Sequence, residues 1–309
     1  MPSAITAVIS VTNLAAKQVI EQIKTAMNKA IYIGELTLHI SLRRDGQAST
    51  HIGDRMVDAA MLDAAMGVQT LFVGETAADT IGDHIISSLR NANVDITSVD
   101  RYTEGAGAVR IAPADKEDNP SRPVMHAAYP AEPVNPIWPR IDEGDVMVYG
   151  SYMAIDKRNH SRVIELVNYA RSRKAETVYL PYFDQARVTR ITRVMPEVWE
   201  SLEAATLVIA TTEDLSTLFP GETPADAYNA HINFYCPRCL VIDPKALSMQ
   251  FFDGKNSWTL HCHPTDDTEE QWTAGAIAGA IRALTEGITD PDDIMAKANE
   301  TAHSRLSKF

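Results

Sequence analysis

"GDRMVDAAMLDAAMGVQTLFVGETAADTIGDHIISSLRNANVDITSVDR", residues 53–101, alternates two kinds of pattern. "DRMVDAAMLDAAMG" reads as a helix, "VQTLFVGE" as a short apolar strand, and "DTIGDHIISSLRNAN" as a second helix. Strands that alternate with helices favour a largely parallel sheet with helices on both faces, because a parallel crossover needs a long connection and helices supply it.

The pattern extends in both directions. Upstream, "AIYIGELTLHI" is a strand pattern, and Leu14, Val19, Ile20, Ile23 and Met27 recur at helical spacing, so residues 1–28 are expected to form an N-terminal extension with one amphipathic helix. Downstream, "GAGAVRIAPAD" and "SRPVMHAAYPAEP" read as strands joined by a polar, proline-containing loop with no helix between them, a small β element beside the main sheet. Alternation resumes with "DVMVYGS", a helix around "RNHSRVIELVNYARSRK", "TVYLPYF", a helix through "RVTRITRVMPEVWESLEAA", and "TLVIATT". Helices near 269–286 and 291–307 close the chain.

At 309 residues with 45% hydrophobic and 22% charged residues, the chain is that of a globular protein with one large core. A formal charge of -13 argues against a broad nucleic-acid or anionic-membrane surface, though not against a local basic pocket. Asn13, Lys17 and Glu21 interrupt the early apolar residues, so no signal peptide is expected, and no segment is long enough to span a bilayer. With three cysteines and eleven methionines, a reduced, cytoplasmic setting without structural disulfides is the expectation.

Taken together, "GELTLHIS", the 53–101 stretch and the closing "WTAGAIAGAI" resemble the ribokinase, or PfkB, family of carbohydrate kinases over roughly residues 30–286. The best portion is 53–101, in the order Gly53, Gly67, Gly74, Asp79, Gly82-Asp83 and Asn91-Ala-Asn-Val-Asp95. The resemblance implies a three-layer α/β/α sandwich spanning 29–309, with a small β-sheet lid near 37–52 and 105–130 through which subunits pair as a homodimer. It further implies a sugar or nucleoside ligand, ATP with Mg2+, and transfer of the γ-phosphate to a hydroxyl. In the family an aspartate in a Gly-Ala-Gly-Asp loop deprotonates that hydroxyl, and the backbone amides of the loop hold the phosphate.

Counting back from Ala274-Gly275 puts Asp267-Thr268-Glu269-Glu270 where the family has Gly-Ala-Gly-Asp. Glu270 then takes the position of the catalytic base, with a carboxylate moved by roughly 1 Å, a scale on which catalytic positioning matters. Asp267 and Glu269 bring negative charge to a phosphate cradle, where unit like charges 4 Å apart repel by about 4 kcal/mol at an effective dielectric near 20. The same residues also make a well-capped helix start, with Thr265, Asp266, Asp267 or Thr268 available as N-cap and two glutamates suited to the positive helix end. The loop thus favours a kinase-fold protein that binds a polyhydroxylated ligand without transferring phosphate, while the resemblance favours a kinase.

By the same resemblance, the acidic sugar-binding residue at the end of the first strand falls at His39. The glycine pair and the asparagine of the next motif fall at Gly53, Asp54 and Asp58, which together with His39 are the candidate substrate-binding residues. The magnesium-associated Asn-x-x-Glu falls on "TTEDL", making Thr211 a nucleotide candidate and Glu213 or Asp214 metal candidates. Lys245, in Asp243-Pro244-Lys245-Ala246, stands in the nucleotide-side Gly-x-x-Gly, and also reads as a plain turn. Arg187, Arg190 and Arg193 lie three apart on the expected helix, a basic stripe in which Arg187 is the candidate for phosphate because an arginine follows this strand in the family. Cys236 and Cys239 with His261 and His263 are a competing zinc set, and equally two buried thiols on the way into the strand "CLVID".

Overall fold

The computed structural model describes residues 28–43, 45–112, 123–183, 187–188 and 190–304. The expected N-terminal helix therefore lies outside the described residues. Elements are numbered in chain order. The main sheet has nine strands: β1 (Lys29–Ile33), β4 (Gln69–Ala77), β5 (Asp95–Tyr102), β8 (Val146–Gly150), β9 (Glu176–Leu180), β10 (Leu207–Thr211), β11 (Arg238–Asp243), β12 (Ser248–Asp253) and β13 (Asn256–His261). Their order is β13-β12-β11-β10-β9-β8-β1-β4-β5; β5 through β11 pair in parallel, and β12 and β13 add an antiparallel edge.

The parallel strands are apolar on both sides because helices cover both faces. On one face α1 (Arg55–Ala65), α2 (Thr80–Asn91), α7 (Glu269–Thr285) and α8 (Pro291–Ala302) enclose Tyr32, Phe72, Val148 and Trp272. On the other, α3 (His160–Ser172), α4 (Met195–Ala204), α5 (Thr212–Leu218) and the short α6 (Pro224–Ala227) enclose Ile31, Met147, Tyr149 and Val208. This is the three-layer α/β/α arrangement. The helix expected from Arg187 onward starts only at Met195, after a 3-10 turn at Ile191–Arg193. Pro196 lies in its first turn, where a missing N–H costs nothing; a longer helix would put it in the interior and break an i to i−4 bond.

A second sheet has the order β3-β2-β6-β7, built from β2 (Leu38–Leu42), β3 (Ala48–Ile52), β6 (Ala106–Ala112) and β7 (Val124–Ala128). Asp79 fastens it to the body: its Oδ1 accepts from Gly82 N–H at the start of α2, and its Oδ2 from Gly107 N–H in β6, both at 2.8 Å. Those two amides hold the Asp79 carboxyl below its usual range. A Cβ at residue 107 would lie 2.8 Å from Ile81, so glycine is what lets β6 approach the helix.

The Ala/Gly run of α7 is explained by packing. Cβ atoms at Gly275 and Gly279 would each lie 2.7 Å from a backbone Cα of α8, at Ala302 and Ala298. The helix begins with a capping box in which Thr268 Oγ1 accepts from Gln271 N–H and the Gln271 side chain accepts from Thr268 N–H. Glu269 and Glu270 are thereby the first two residues of the helix, both exposed.

Candidate functional site

A small cleft lies between the second sheet and the carboxyl ends of the main-sheet strands, the side on which open α/β sheets receive ligands. Glu35, Thr37 and His39 reach it from the chain leaving β1, Asp54 from the start of α1, Arg110 and Met125 from the second sheet, and Tyr152 and Tyr182 from the loops after β8 and β9. Gly53 makes the turn into α1 at φ +72° and donates its N–H to the Thr37 carbonyl at 2.7 Å. That φ is in the left-handed region, where a Cβ would also collide with Val57.

Asp54 caps α1. Its Oδ1 accepts from Met56 N–H at 2.9 Å and its Oδ2 from the Ser151 hydroxyl at 2.5 Å, while burial raises its pKa against the pull of these donors. His39 and His51 face each other across β2 and β3, with ring centroids 4.7 Å apart. Burial, then His51 and Arg110, push His39 down to about 3, so a neutral imidazole with one donor and one acceptor faces the cleft. His51 is also lowered by burial, although Glu270 and Asp54 pull it up. Asp58 lies one turn beyond Asp54 and feels both Asp54 and Glu270; burial and those two charges push it up to about 7. The structure therefore brings His39, Gly53, Asp54, Asp58 and Glu270 to one place.

Arg187 meets two of the cleft-lining residues, Glu35 and Tyr152. Its Nη1 is 2.5 Å from Glu35 Oε2, its Nη2 donates to Tyr129 OH at 3.0 Å, and its guanidinium lies 3.9 Å from the centre of the Tyr152 ring. Tyr129 OH also donates to Glu35, and Arg158 pairs with the buried Glu75 and stacks 4.9 Å from the Tyr129 ring. Sequence reasoning missed Glu35, Tyr129, Arg158 and Glu75, which are far apart in the chain; only Glu35, directly after an apolar strand, carried a local signal.

Thr211 and Asp214 meet each other and Arg55. Asp214 Oδ2 accepts from Thr211 N–H at 2.8 Å and from its hydroxyl at 2.7 Å, and it pairs with Arg55 Nη2. Arg55 also donates to the Pro181 carbonyl and to Thr211 Oγ1, tying α1 to the ends of β9 and β10. Glu213 is exposed, and no group of three or more potential metal ligands occurs among the described residues. Of the two side chains that the family resemblance assigns to magnesium, Asp214 is thus bonded to Thr211 and Arg55, and Glu213 faces solvent.

Lys245 is exposed in the turn joining β11 to β12, which Asp243 closes by accepting from the N–H groups of Lys245 and Ala246 at 3.1 and 3.0 Å. Cys236 and Cys239 are buried free thiols, and burial raises Cys236 to about 11. The sheet register pairs Cys239 with Phe252 but His261 with Ser248, four residues further along β12, so thiols and imidazoles do not converge. No helix among the described residues is long and apolar enough to cross a membrane.

The fold is that of the ribokinase-like, PfkB-type sugar kinases. Its solved likenesses include aminoimidazole riboside kinase from Salmonella enterica, complexed with aminoimidazole riboside and an ATP analog, at 13% identity over 91% of this chain and 92% of that one, with a TM-score of 0.74. Fructokinase from Vibrio cholerae O395, in a form with fructose, ADP and calcium ion bound, is 12% identical over 90% and 92% of the two chains, TM-score 0.76. A putative ribokinase II from E. coli is 13% identical over 91% and 94%, TM-score 0.73. No protein-family model and no curated protein matches the sequence.

Proposed function

We propose that the protein is an ATP-dependent kinase of a small polyhydroxylated ligand, a sugar or nucleoside, with Glu270 as the base for the acceptor hydroxyl. What supports this reading is that Asp54 and His39 line the cleft under the second sheet, with Asp58 one turn along α1 and near enough to feel both Asp54 and Glu270. Carboxylates and a neutral His39 suit hydroxyl groups, since they accept and donate without demanding charge from the ligand. A base is needed because an alcohol is a poor nucleophile near neutral pH. The family's fold, and the sugar and nucleoside named with two of its solved likenesses, support the ligand class. The second sheet, with Leu42 and Val124 exposed, is the surface we assign to a homodimer contact.

Two observations favour a second reading, ligand binding without phosphate transfer: Arg55 pairs with Thr211 and Asp214, and the loop before α7 is acidic. Calorimetric titration with ATP, with and without Mg2+, separates the two. Binding with subsequent turnover of a sugar supports the kinase; a folded protein that binds sugar but no ATP supports the second reading. Asp267→Gly with Glu269→Gly removes two negative charges beside the helix start, and ATP affinity should rise about tenfold or more. An unchanged affinity would show that the loop does not face the phosphates.

A further inference from the structure

Glu35 lines the cleft just after β1, and its side chain keeps 15% of its exposure. Its Oε1 accepts from the Tyr129 hydroxyl and its Oε2 from Arg187 Nη1, and no other hydrogen bond reaches the carboxylate among the described residues. Neither donor belongs to the residues that line the cleft, so both hold Glu35 from behind. Each is itself fixed. Arg187 also donates to Tyr129 OH at 3.0 Å and lies 3.9 Å from the centre of the Tyr152 ring. Arg158 lies 4.9 Å from the centre of the Tyr129 ring and donates to the Pro130 and Glu132 carbonyls at 3.1 and 2.8 Å, which pins the chain that leaves β7.

An ionised carboxylate has about four acceptor positions, two on each oxygen. Tyr129 and Arg187 use one on each, which leaves one on each oxygen for a donor in the cleft. Arg187 already balances the charge, so these positions call for neutral donors and not for a second cation. Two neutral donors side by side on one small molecule are hydroxyls on adjacent carbons. We propose that Glu35 is a specificity-determining ligand residue: its two remaining acceptor positions take two adjacent hydroxyls of the sugar or nucleoside, and Tyr129 and Arg187 are positioning residues that fix the carboxylate for them. This rests on the ligand class proposed above, and it holds whether or not phosphate is transferred. A carboxylate makes stronger hydrogen bonds than a neutral acceptor, and one already held in place costs no ordering when the ligand arrives.

The test is calorimetric titration of the full chain with D-fructose, D-ribose and the monodeoxy derivatives of each. Glu35→Gln keeps the shape of the side chain and turns one acceptor into an N–H donor, so affinity should fall about tenfold or more. In the unaltered protein, loss of either hydroxyl that faces Glu35 should cost about as much; those same derivatives should bind Glu35→Gln nearly as well as the parent sugar does. An unchanged affinity overturns the proposal. So does a fall that leaves the ranking of the derivatives as it was, since a merely structural Glu35 weakens all of them alike. Glu35→Gln leaves the Arg187 charge without its carboxylate; if that variant does not fold, Glu35→Gln with Arg187→Gln removes both charges and carries the same expectations. If the unaltered, folded protein binds neither sugar, the ligand class itself fails and this proposal with it, a failure seen before any substitution is made.

Discussion

Replacing Arg55 by Met tests whether Thr211 and Asp214 belong to a structural tie and not to an open cation site. The Arg55 and Asp214 side chains retain 16% and 7% of their exposure, so their charges are poorly screened by water. Deleting one member of such a pair costs about 3–5 kcal/mol, mostly because the other charge stays buried. The lower end applies, since Thr211 still gives Asp214 two donors at 2.8 and 2.7 Å. The lost bond to the Pro181 carbonyl adds to the cost, but that acceptor has a second lone pair and a neighbouring loop. At about 2 °C per kcal/mol for a chain of this size, Tm should drop by roughly 6 °C. A double-mutant cycle with Asp214→Asn, read by urea denaturation, should return a coupling of about 2 kcal/mol or more. A coupling below about 0.5 kcal/mol, the range of an exposed pair, would refute the reasoning and return Asp214 to the metal candidates.

Asp63 is fully buried on α1, where Tyr32 OH donates to its Oδ2 at 2.5 Å and burial raises its pKa well above the usual carboxylate value. The folded protein therefore keeps a proton that the unfolded chain releases above about pH 4, so stability from this group is complete below that pH and is lost by up to about 1.4 kcal/mol per unit as pH rises toward the folded value. Asp63→Asn should flatten the slope of unfolding free energy between pH 5 and 8; an unchanged slope in urea melts would mean Asp63 is ionised in the fold. Gly279→Ala gains about 1 kcal/mol of helix propensity but puts a Cβ 2.5 Å from the Lys297 carbonyl oxygen. Overpacking of about 1–3 kcal/mol should win, and a raised denaturation midpoint would show that α7 and α8 are less closely packed than they look.

The alternation in 53–101 determined the order of strands and helices and the layer architecture, because a parallel strand's apolar run and a crossover helix are local patterns that only a few topologies can satisfy. Gly53 and the cap at Thr268 were legible for the same reason: each meets a local backbone requirement. The packing role of the α7 glycines was not, since the neighbour that fills the space is α8 and comes later in the chain. Which side chains share a charge was decided only in three dimensions. Arg187 meets Glu35, 152 residues away, and Thr211 with Asp214 meets Arg55, pairings that no spacing in the sequence announces. Electrostatic pairing depends on distance and burial, which spacing along a strand or helix does not carry.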